Sequence, residues 1–503
     1  MKIAIRTDAS TDIGSGHVMR CITLARLLKF EGNVVVFVCR PQAGDLIEFI
    51  KSQNMNVISL RMLESDSDPS HSADYIGWLQ TSVQADANEF LSKIESIDVV
   101  ITDHYAIGRE WHRLVRGALR CKIIAIDDLV REHDADLVLD QTLGRKCQDY
   151  KGKARVLAGS SYALLRPNFA LVRQKAYSRS PPAAQQVRVL LSMGGVDKPN
   201  ATLSTLKLLS KIQNIKITVI LGKHAPHYKT VVSYCSKLNN VRRLDFVEDM
   251  AELMLDHDLA VGAPGTTSWE RACLGLPSIV IPLAENQFEI ASKLQVNNAV
   301  IVVYLHELQS KFSDGINQIM SQWDEYVQAN LSLCDGLGIN RFLIEFQRLC
   351  EPKKYRYELI EADRQDIEIV YSWQTDPLTR QYALDPNIPS WEQHQEWMLE
   401  RIADVASYFY IITGIEEQIK VGAVRLDRLG QGAYVVSIYV DPKSYGKGIA
   451  QAALIMLDKL HPHIIIEATV LSQNFASQRL FEKANYQRLS PEKFLRNPIG
   501  REF

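Results

Sequence analysis

The chain has 503 residues, 46% hydrophobic and 23% charged, with a formal net charge of −2 at pH 7. That composition fits two or three ordinary globular domains that bury full cores. There is no basic excess for a nucleic-acid partner, no apolar run of membrane-spanning length and no signal peptide before Asp8, so a cytoplasmic protein with no nucleic-acid or membrane partner is expected.

From the N-terminus, apolar strands are expected over residues 2–7, 34–39, 99–102 and 123–126, with amphipathic helices between some of them. This alternation implies a parallel sheet covered by helices. The most informative run is Ile13-Gly14-Ser15-Gly16-His17-Val18-Met19-Arg20. It follows the first strand and opens a helix with Val18, Ile22, Ala25 and Leu28 on one face. Two glycines let the backbone approach a ligand, the helix N-terminus favours an anion, and a histidine there can move a proton near neutral pH. A phosphate-bearing substrate with a base beside it follows. Asp8 and Asp12 flank this loop and could orient the imidazole, bind sugar hydroxyls or cap the loop. Two further strands end in polar residues, Thr102-Asp103-His104-Tyr105 and Ile126-Asp127-Asp128-Leu129. Adjacent carboxylates on a strand point to opposite faces, so Asp127 and Asp128 are not expected to share a proton.

Residues 178–186, with Pro181-Pro182 and small polar neighbours, read as a linker. A second series follows, with strands over 187–192, 215–221, 259–262 and 278–281 and helices over 201–209 and 268–274. The first of these strands runs into Met193-Gly194-Gly195-Val196-Asp197, repeating the strand-and-glycine-turn plan. Two such sheets place a ligand cleft between their carboxyl ends. In Gly262-Ala263-Pro264-Gly265-Thr266-Thr267-Ser268-Trp269-Glu270-Arg271, hydroxyl residues lead into a helix where they can cap it and donate to a diphosphate. Glu270, expected in the first helical turn, can accept two ribose hydroxyls. Asn286 and Gln287 end the next strand with amides suited to sugar or base edges. A helix over 341–350 is expected to close this unit.

A charged linker at 351–354 precedes a different layout. Strands are expected over 357–360, 409–414, 420–426, 433–440 and 464–471, and helices over 392–403, 447–460 and 477–484. This is an α+β domain of about 150 residues. The eight cysteines include no Cys-x-x-Cys pair, so they read as free thiols rather than a zinc or dithiol site. His71, His112, His133, His224, His227, His461 and His463 lack a ligand-spaced partner in sequence and read as surface or core residues.

The motifs IGSGHVMR (13–20), DHY (103–105), IDDL (126–129), SMGGVDKPNAT (192–202) and GAPGTTSWERACLGLPSIVIPLAENQ (262–287) resemble the UDP-sugar hydrolases of pseudaminic acid biosynthesis, across about residues 1–350. Those enzymes hydrolyse UDP-2,4-diacetamido-2,4,6-trideoxy-β-L-altropyranose and resemble the GT-B N-acetylglucosaminyltransferase that makes lipid II. The resemblance implies two Rossmann-like domains, over 1–180 and 187–350, and metal-independent, inverting hydrolysis. It makes His17 the catalytic base. Gly194, Gly195, Thr267 and Ser268 become phosphate contacts and Glu270 the ribose contact. Asn286 and Gln287 face the sugar, with Gly16, Asp8 and Tyr105 also on the substrate side.

In the last domain, Asp441-Pro442-Lys443-Ser444-Tyr445-Gly446-Lys447-Gly448-Ile449-Ala450 follows an alternating strand. With Asn474-Phe475-Ala476-Ser477 and Leu480-Phe481-Glu482-Lys483-Ala484-Asn485-Tyr486, it resembles the GNAT acetyltransferases, in particular the one forming the 4-acetamido group of the same sugar. The resemblance implies a GNAT domain over 355–503 with acetyl-CoA as cofactor, held by Val440, Gly446, Lys447, Gly448, Ala450 and Asn474. Three positions depart from that family: Tyr445 replaces the usual Gln or Arg, Asn485 the usual glycine, and Phe481 the tyrosine that reprotonates the CoA thiolate. The expected whole is an α/β protein of two Rossmann-like domains plus an α+β GNAT domain, acting on a UDP-sugar at two consecutive steps. A GT-B glycosyltransferase and a nucleotide-sugar sensor with an inert acetyl-CoA module are the alternatives.

Overall fold

The computed structural model describes residues 1–63, 74–182, 186–195, 197–223 and 225–500. His71, His224, Val196 of the glycine turn, and Ala183, Ala184 and Gln185 of the expected linker lie outside the described residues. The chain packs as two compact units, Met1–Ile339 and the residues from Asn340 onward.

The first unit holds two parallel sheets. One comprises β1 (Lys2–Thr7), β2 (Val34–Cys39), β3 (Asn56–Ser59), β4 (Val99–Asp103), β5 (Lys122–Ile126), β6 (Leu137–Asp140) and β7 (Arg155–Ala158), in the order β3-β2-β1-β4-β5-β6-β7. The other comprises β8 (Val187–Ser192), β9 (Ile215–Ile220), β10 (Val241–Leu244), β11 (Leu259–Gly262), β12 (Ser278–Val280) and β13 (Val300–Val302), in the order β10-β9-β8-β11-β12-β13. The two orders are the same Rossmann-like pattern. Central strands such as β4 are buried along their whole length, as helices on both faces require.

The strand order reverses between β1 and β4 in one sheet and between β8 and β11 in the other. At these switch points the loops diverge and leave a crevice. Thr7 is in register with Asp103, and Ser192 with Gly262. The His17 loop and the end of β4 therefore share one crevice, as the Gly194 turn and the Thr266 helix share the other.

Away from these loops, Ser160 donates its hydroxyl to the Leu333 carbonyl at 2.6 Å. Helix Pro167–Ala176 precedes the second sheet in sequence, yet its fully buried Arg173 donates to the carbonyls of Cys273, Cys334 and Leu331 at 2.7–2.9 Å.

The second unit is a mixed sheet in the order β14-β15-β16-β17-β18-β20-β19: β14 (Tyr357–Glu361), β15 (Tyr408–Gly414), β16 (Lys420–Gly430), β17 (Ala433–Val440), β18 (Ile465–Thr469), β19 (Gln487–Arg488) and β20 (Lys493–Arg496). Helix Gly338–Cys350, expected to close the preceding unit, belongs here from Asn340 onward. Asn340 donates to the Leu460 carbonyl at 3.0 Å, Gln347 accepts from Lys459, and Arg348 pairs with Glu358 at 2.7 Å. Its polar side chains thus find their partners in the following sheet and helix.

All eight cysteines are free; six are buried, Cys147 is exposed and Cys350 half-buried. Among the described residues, no helix is long and apolar enough to cross a membrane.

Candidate active site

Helix Gly16–Phe30 begins one residue before His17, so the imidazole sits in the first helical turn. Its Nδ1 lies 2.6 Å from Asp103 Oδ1, at the end of β4. Asp103 also accepts from Arg20 Nε at 2.6 Å and Arg20 Nη2 at 2.7 Å. Burial alone would raise the Asp103 carboxyl, but Arg20 and His17 hold it well below the usual carboxylate range. An ionised carboxylate only accepts, so His17 Nδ1 carries the proton in the neutral ring and Nε2 keeps its lone pair. Such an arrangement can serve as a base held by an orienting acid. Arg20 continues to Asp128 at 2.8 Å, and Tyr105 donates its hydroxyl to the same Asp128 oxygen at 2.8 Å. The Tyr105 ring stands edge-on to His17, centroids 4.6 Å apart.

The orienting acid is therefore Asp103, not Asp8 or Asp12. Asp8, expected on the substrate side, has a fully buried side chain tied to Arg6 Nη1 at 2.6 Å and the Arg40 amide at 2.7 Å. Both bonds go to Oδ1, and Oδ2 lies 3.7 Å from His104 Nε2. Asp127 and Asp128 take different partners: Asp127 accepts from Arg131, His133 and Tyr150. His133 thus has in space the carboxylate that its sequence neighbourhood did not show.

The second half closes on this base from across the crevice. A side chain begun at Gly195 would meet Ser15 Oγ at 3.1 Å, and one begun at Gly16 would meet Thr266 Oγ1 at 3.9 Å. Gly194 has φ +86°, a turn that glycine takes without strain. Lys198 reaches Asp12 at 2.6 Å. Two helix N-termini, at Gly16 and Thr266, and a glycine turn therefore converge, and their amides form a cradle for an anion.

The helix starts at Thr266, two residues earlier than expected. Glu270 consequently falls in the second turn rather than the first. Burial pushes its carboxyl up to about 7, against the pull of Arg166 and Arg271. Thr266 and Thr267 are half-buried in the opening turn. Ser268, expected at the phosphate, is 3% exposed and its Oγ is taken by the Gly265 amide and Arg271. It is the third residue of the helix and caps its start by holding the amide of Gly265, the N-cap residue. Asn286 is exposed; Gln287 is half-buried, with Oε1 accepting from the Leu283 amide at 2.8 Å. Among the described residues, no group of three or more His, Cys, Asp or Glu is placed to hold a metal ion.

Asp103, Arg20, Asp128 and Thr266 lie within the quoted motifs, but the sequence reading gave them no role in the site. Arg20 was legible in principle, one helical turn after His17. Asp103 needed the knowledge that β4 pairs with β1.

In the second unit, β17 pairs with β18 only over residues 433–435, leaving Val436–Val440 without a ladder partner on that side among the described residues. The strand then enters the turn at Gly446 (φ +78°) and Gly448 (φ +76°), where a Cβ would meet nothing within 4 Å. Helix Ile449–Leu460 starts there, two residues later than expected, with Ala450 in its first turn. Lys447 Nζ lies 3.4 Å from Ser444 Oγ. An open strand edge leading to an uncovered helix N-terminus can hold an extended amide chain followed by a pyrophosphate. Asn474, expected on the cofactor, spends Oδ1 capping the next helix at the Ser477 amide, 3.0 Å away, which leaves its NH2 for any ligand. Phe481 is 4% exposed, packed between Tyr486 and Phe494. Asn485 takes φ +61°, so it fills a glycine's place in the turn.

Comparison with known proteins agrees with this division. Residues 193–331 match the glycosyltransferase family 28 C-terminal domain, and residues 356–487 the acetyltransferase (GNAT) domain. The uncharacterized protein MJ1062 of Methanocaldococcus jannaschii is 26% identical over 516 residues, covering 97% of each chain. The UDP-2,4-diacetamido-2,4,6-trideoxy-beta-L-altropyranose hydrolase of Campylobacter jejuni is 28% identical over 262 residues, 50% of this chain and 81% of that protein. The spore coat polysaccharide biosynthesis protein SpsG of Bacillus subtilis is 23% identical over 70% of this chain and 99% of its own. The chain thus joins a glycosyltransferase family 28 C-terminal domain to an acetyltransferase (GNAT) domain in one polypeptide, with homology to the altropyranose hydrolase over half its length.

Proposed function

We propose that this protein hydrolyses UDP-2,4-diacetamido-2,4,6-trideoxy-β-L-altropyranose to UDP and free sugar with inversion, and that its last domain acetylates the 4-amino group of the UDP-sugar precursor. The observation that carries the hydrolysis is the His17–Asp103–Arg20 contact set where two helix N-termini meet. His17 Nε2 removes a proton from water, the water oxygen bonds to the anomeric carbon, and the bond to the diphosphate breaks with its electron pair on UDP. Asp103 keeps the imidazole in the tautomer this needs and stabilises the imidazolium that forms. The amides at Gly16, Gly194, Gly195, Thr266 and Thr267 offset the charge gathering on the diphosphate. Glu270 takes the ribose hydroxyls, and Tyr105, Asn286 and Gln287 face the sugar. The homology to the altropyranose hydrolase supports this choice of substrate.

For the acetyltransferase, the open edge of β17 up to Val440 and the Gly446–Gly448 turn fit acetyl-CoA, with Lys447 and Ala450 at its pyrophosphate and Asn474 beside the arm. The bound cofactor supplies a thioester acyl group. Phe481 cannot donate a proton to the departing thiolate, so water or another side chain does so.

Proton NMR of the protein with the diacetamido UDP-sugar tests the reading. UDP and a free sugar of inverted anomeric configuration are expected, with loss of turnover in His17→Ala. UDP-sugar that stays intact, or retained configuration in the first product, overturns it. Coenzyme A release with the UDP-4-amino sugar tests the second activity, and no thiol above background overturns that part.

A further inference from the structure

If the hydrolysis just proposed holds, water and a sugar hydroxyl would attack the same carbon from the same side and lose their proton to the same Nε2. What separates hydrolysis from glycosyl transfer is then the room beside His17.

The ring that stands beside His17 is Tyr105, and two more rings pack against it. Helix Tyr75–Leu79 brings Tyr75 to 5.1 Å from the Tyr105 ring and stacks Trp78 on Tyr105 at 5.8 Å, with Tyr75 and Trp78 4.8 Å apart. Tyr105 in turn stands edge-on to His17. The wall is pinned at several points. Asp74 caps its helix at the Gly77 amide, Gln42 donates to the Trp78 carbonyl at 3.1 Å, and the Arg131 guanidinium lies 5.6 Å from the Tyr105 centroid. Trp78 is 4% exposed and its indole N–H has no hydrogen-bond partner among the described residues. Tyr75 is half-buried. Burial and Glu285 push its phenol up while Arg131 opposes them, so the hydroxyl is within electrostatic reach of both halves of the unit.

We propose that Tyr75, backed by Trp78 and Tyr105, is the residue that reserves this site for water, by filling the space a sugar or alcohol acceptor would need beside His17. The wall leaves the bond changes untouched. An alcohol oxygen admitted to the same place would bond to the anomeric carbon, pass its proton to His17 and expel UDP, giving a glycoside.

The test incubates the diacetamido UDP-sugar with the parent protein, Tyr75→Ala and Tyr75→Phe in buffer containing molar glycerol. UDP release reports total cleavage, and mass spectrometry reports glyceryl glycoside against free sugar. The parent and Tyr75→Phe are expected to yield free sugar almost alone, because the ring is kept. Tyr75→Ala is expected to raise the glycoside-to-sugar ratio by about tenfold or more. A ratio within about twofold of the parent, with UDP still released, overturns the proposal, since removing a merely structural ring would not move product partition. Should the alanine variant melt below the assay temperature, Tyr75→Leu replaces it, and an unchanged ratio there overturns the proposal equally. A parent that releases no UDP instead overturns the hydrolysis reading, and this proposal with it.

Discussion

Asp103→Asn isolates the orienting role of the buried carboxylate. Asparagine keeps the shape but loses the charge, and its NH2 cannot accept. Asp103 takes His17 Nδ1, Arg20 Nε and Arg20 Nη2, all within 2.6–2.7 Å, and a weaker contact from Cys21 at 3.4 Å. In the variant the Nδ1–H loses its ionic acceptor, and the tautomer with Nε2 protonated gains population. That tautomer cannot take a proton from water. Turnover should fall by about 10²–10⁴, the range for a general base and for loss of an acid that holds a histidine's tautomer. Arg20, 4% exposed, would keep only Asp128 as a carboxylate partner, and stability should drop by about 3 kcal/mol, the lower end for breaking a buried pair. UDP affinity should hardly change, because its expected contacts lie in the other half apart from the Gly16 amide, which the substitution leaves in place. The assays are UDP release under saturating substrate, thermal melting, and calorimetric titration with UDP. Turnover within about threefold of the parent in a folded variant would refute the tautomer argument.

The ionised form of Glu270 is disfavoured in the fold, so its own contribution to stability is full below pH 4.5 and is lost as the pH rises through about 7. UDP affinity should rise over the same window as the carboxylate becomes able to accept the ribose hydroxyls; Glu270→Gln should flatten both profiles, and an unaltered pH dependence of UDP binding would remove this role. Ser268→Ala should lower stability by about 1 kcal/mol through the lost cap while leaving UDP affinity within about twofold; a tenfold loss of affinity at unchanged melting temperature would restore Ser268 to the phosphate site. Phe481→Tyr should destabilise the last unit by about 1–3 kcal/mol, by burying an unpaired hydroxyl, and should not speed acetyl transfer. A faster enzyme, read by thiol release, would show that the ring does reach the thiolate.

The strands that were legible in sequence were those buried on both faces, where the requirement for apolar residues is strict. β1 with Ile3-Ala4-Ile5 and β4 with Val99-Val100-Ile101 carry apolar runs for that reason. β10, VRRL, and β3, NVIS, were not, because polar side chains on a lateral strand of the sheet hide the pattern. His17 was legible because strand, glycine turn and helix are all local signals. Its partner was not, since Asp103 lies 86 residues away and is brought near only by the strand order. Among Thr266, Thr267 and Ser268, the face each presents depends on where the helix begins. A shift of two residues turned the last of the three from a contact into a cap, and such boundaries are the least determined by local sequence.

Arg173 also has a mechanical consequence. Its guanidinium grips three carbonyls of the second half from a helix that precedes the second sheet, with no solvent between. Pulling this helix off the second half would strand a buried cation and three acceptors at once, a cost of several kcal/mol. The segment that leads into the second sheet is therefore part of that sheet's own body, and the seam between the halves falls ahead of it.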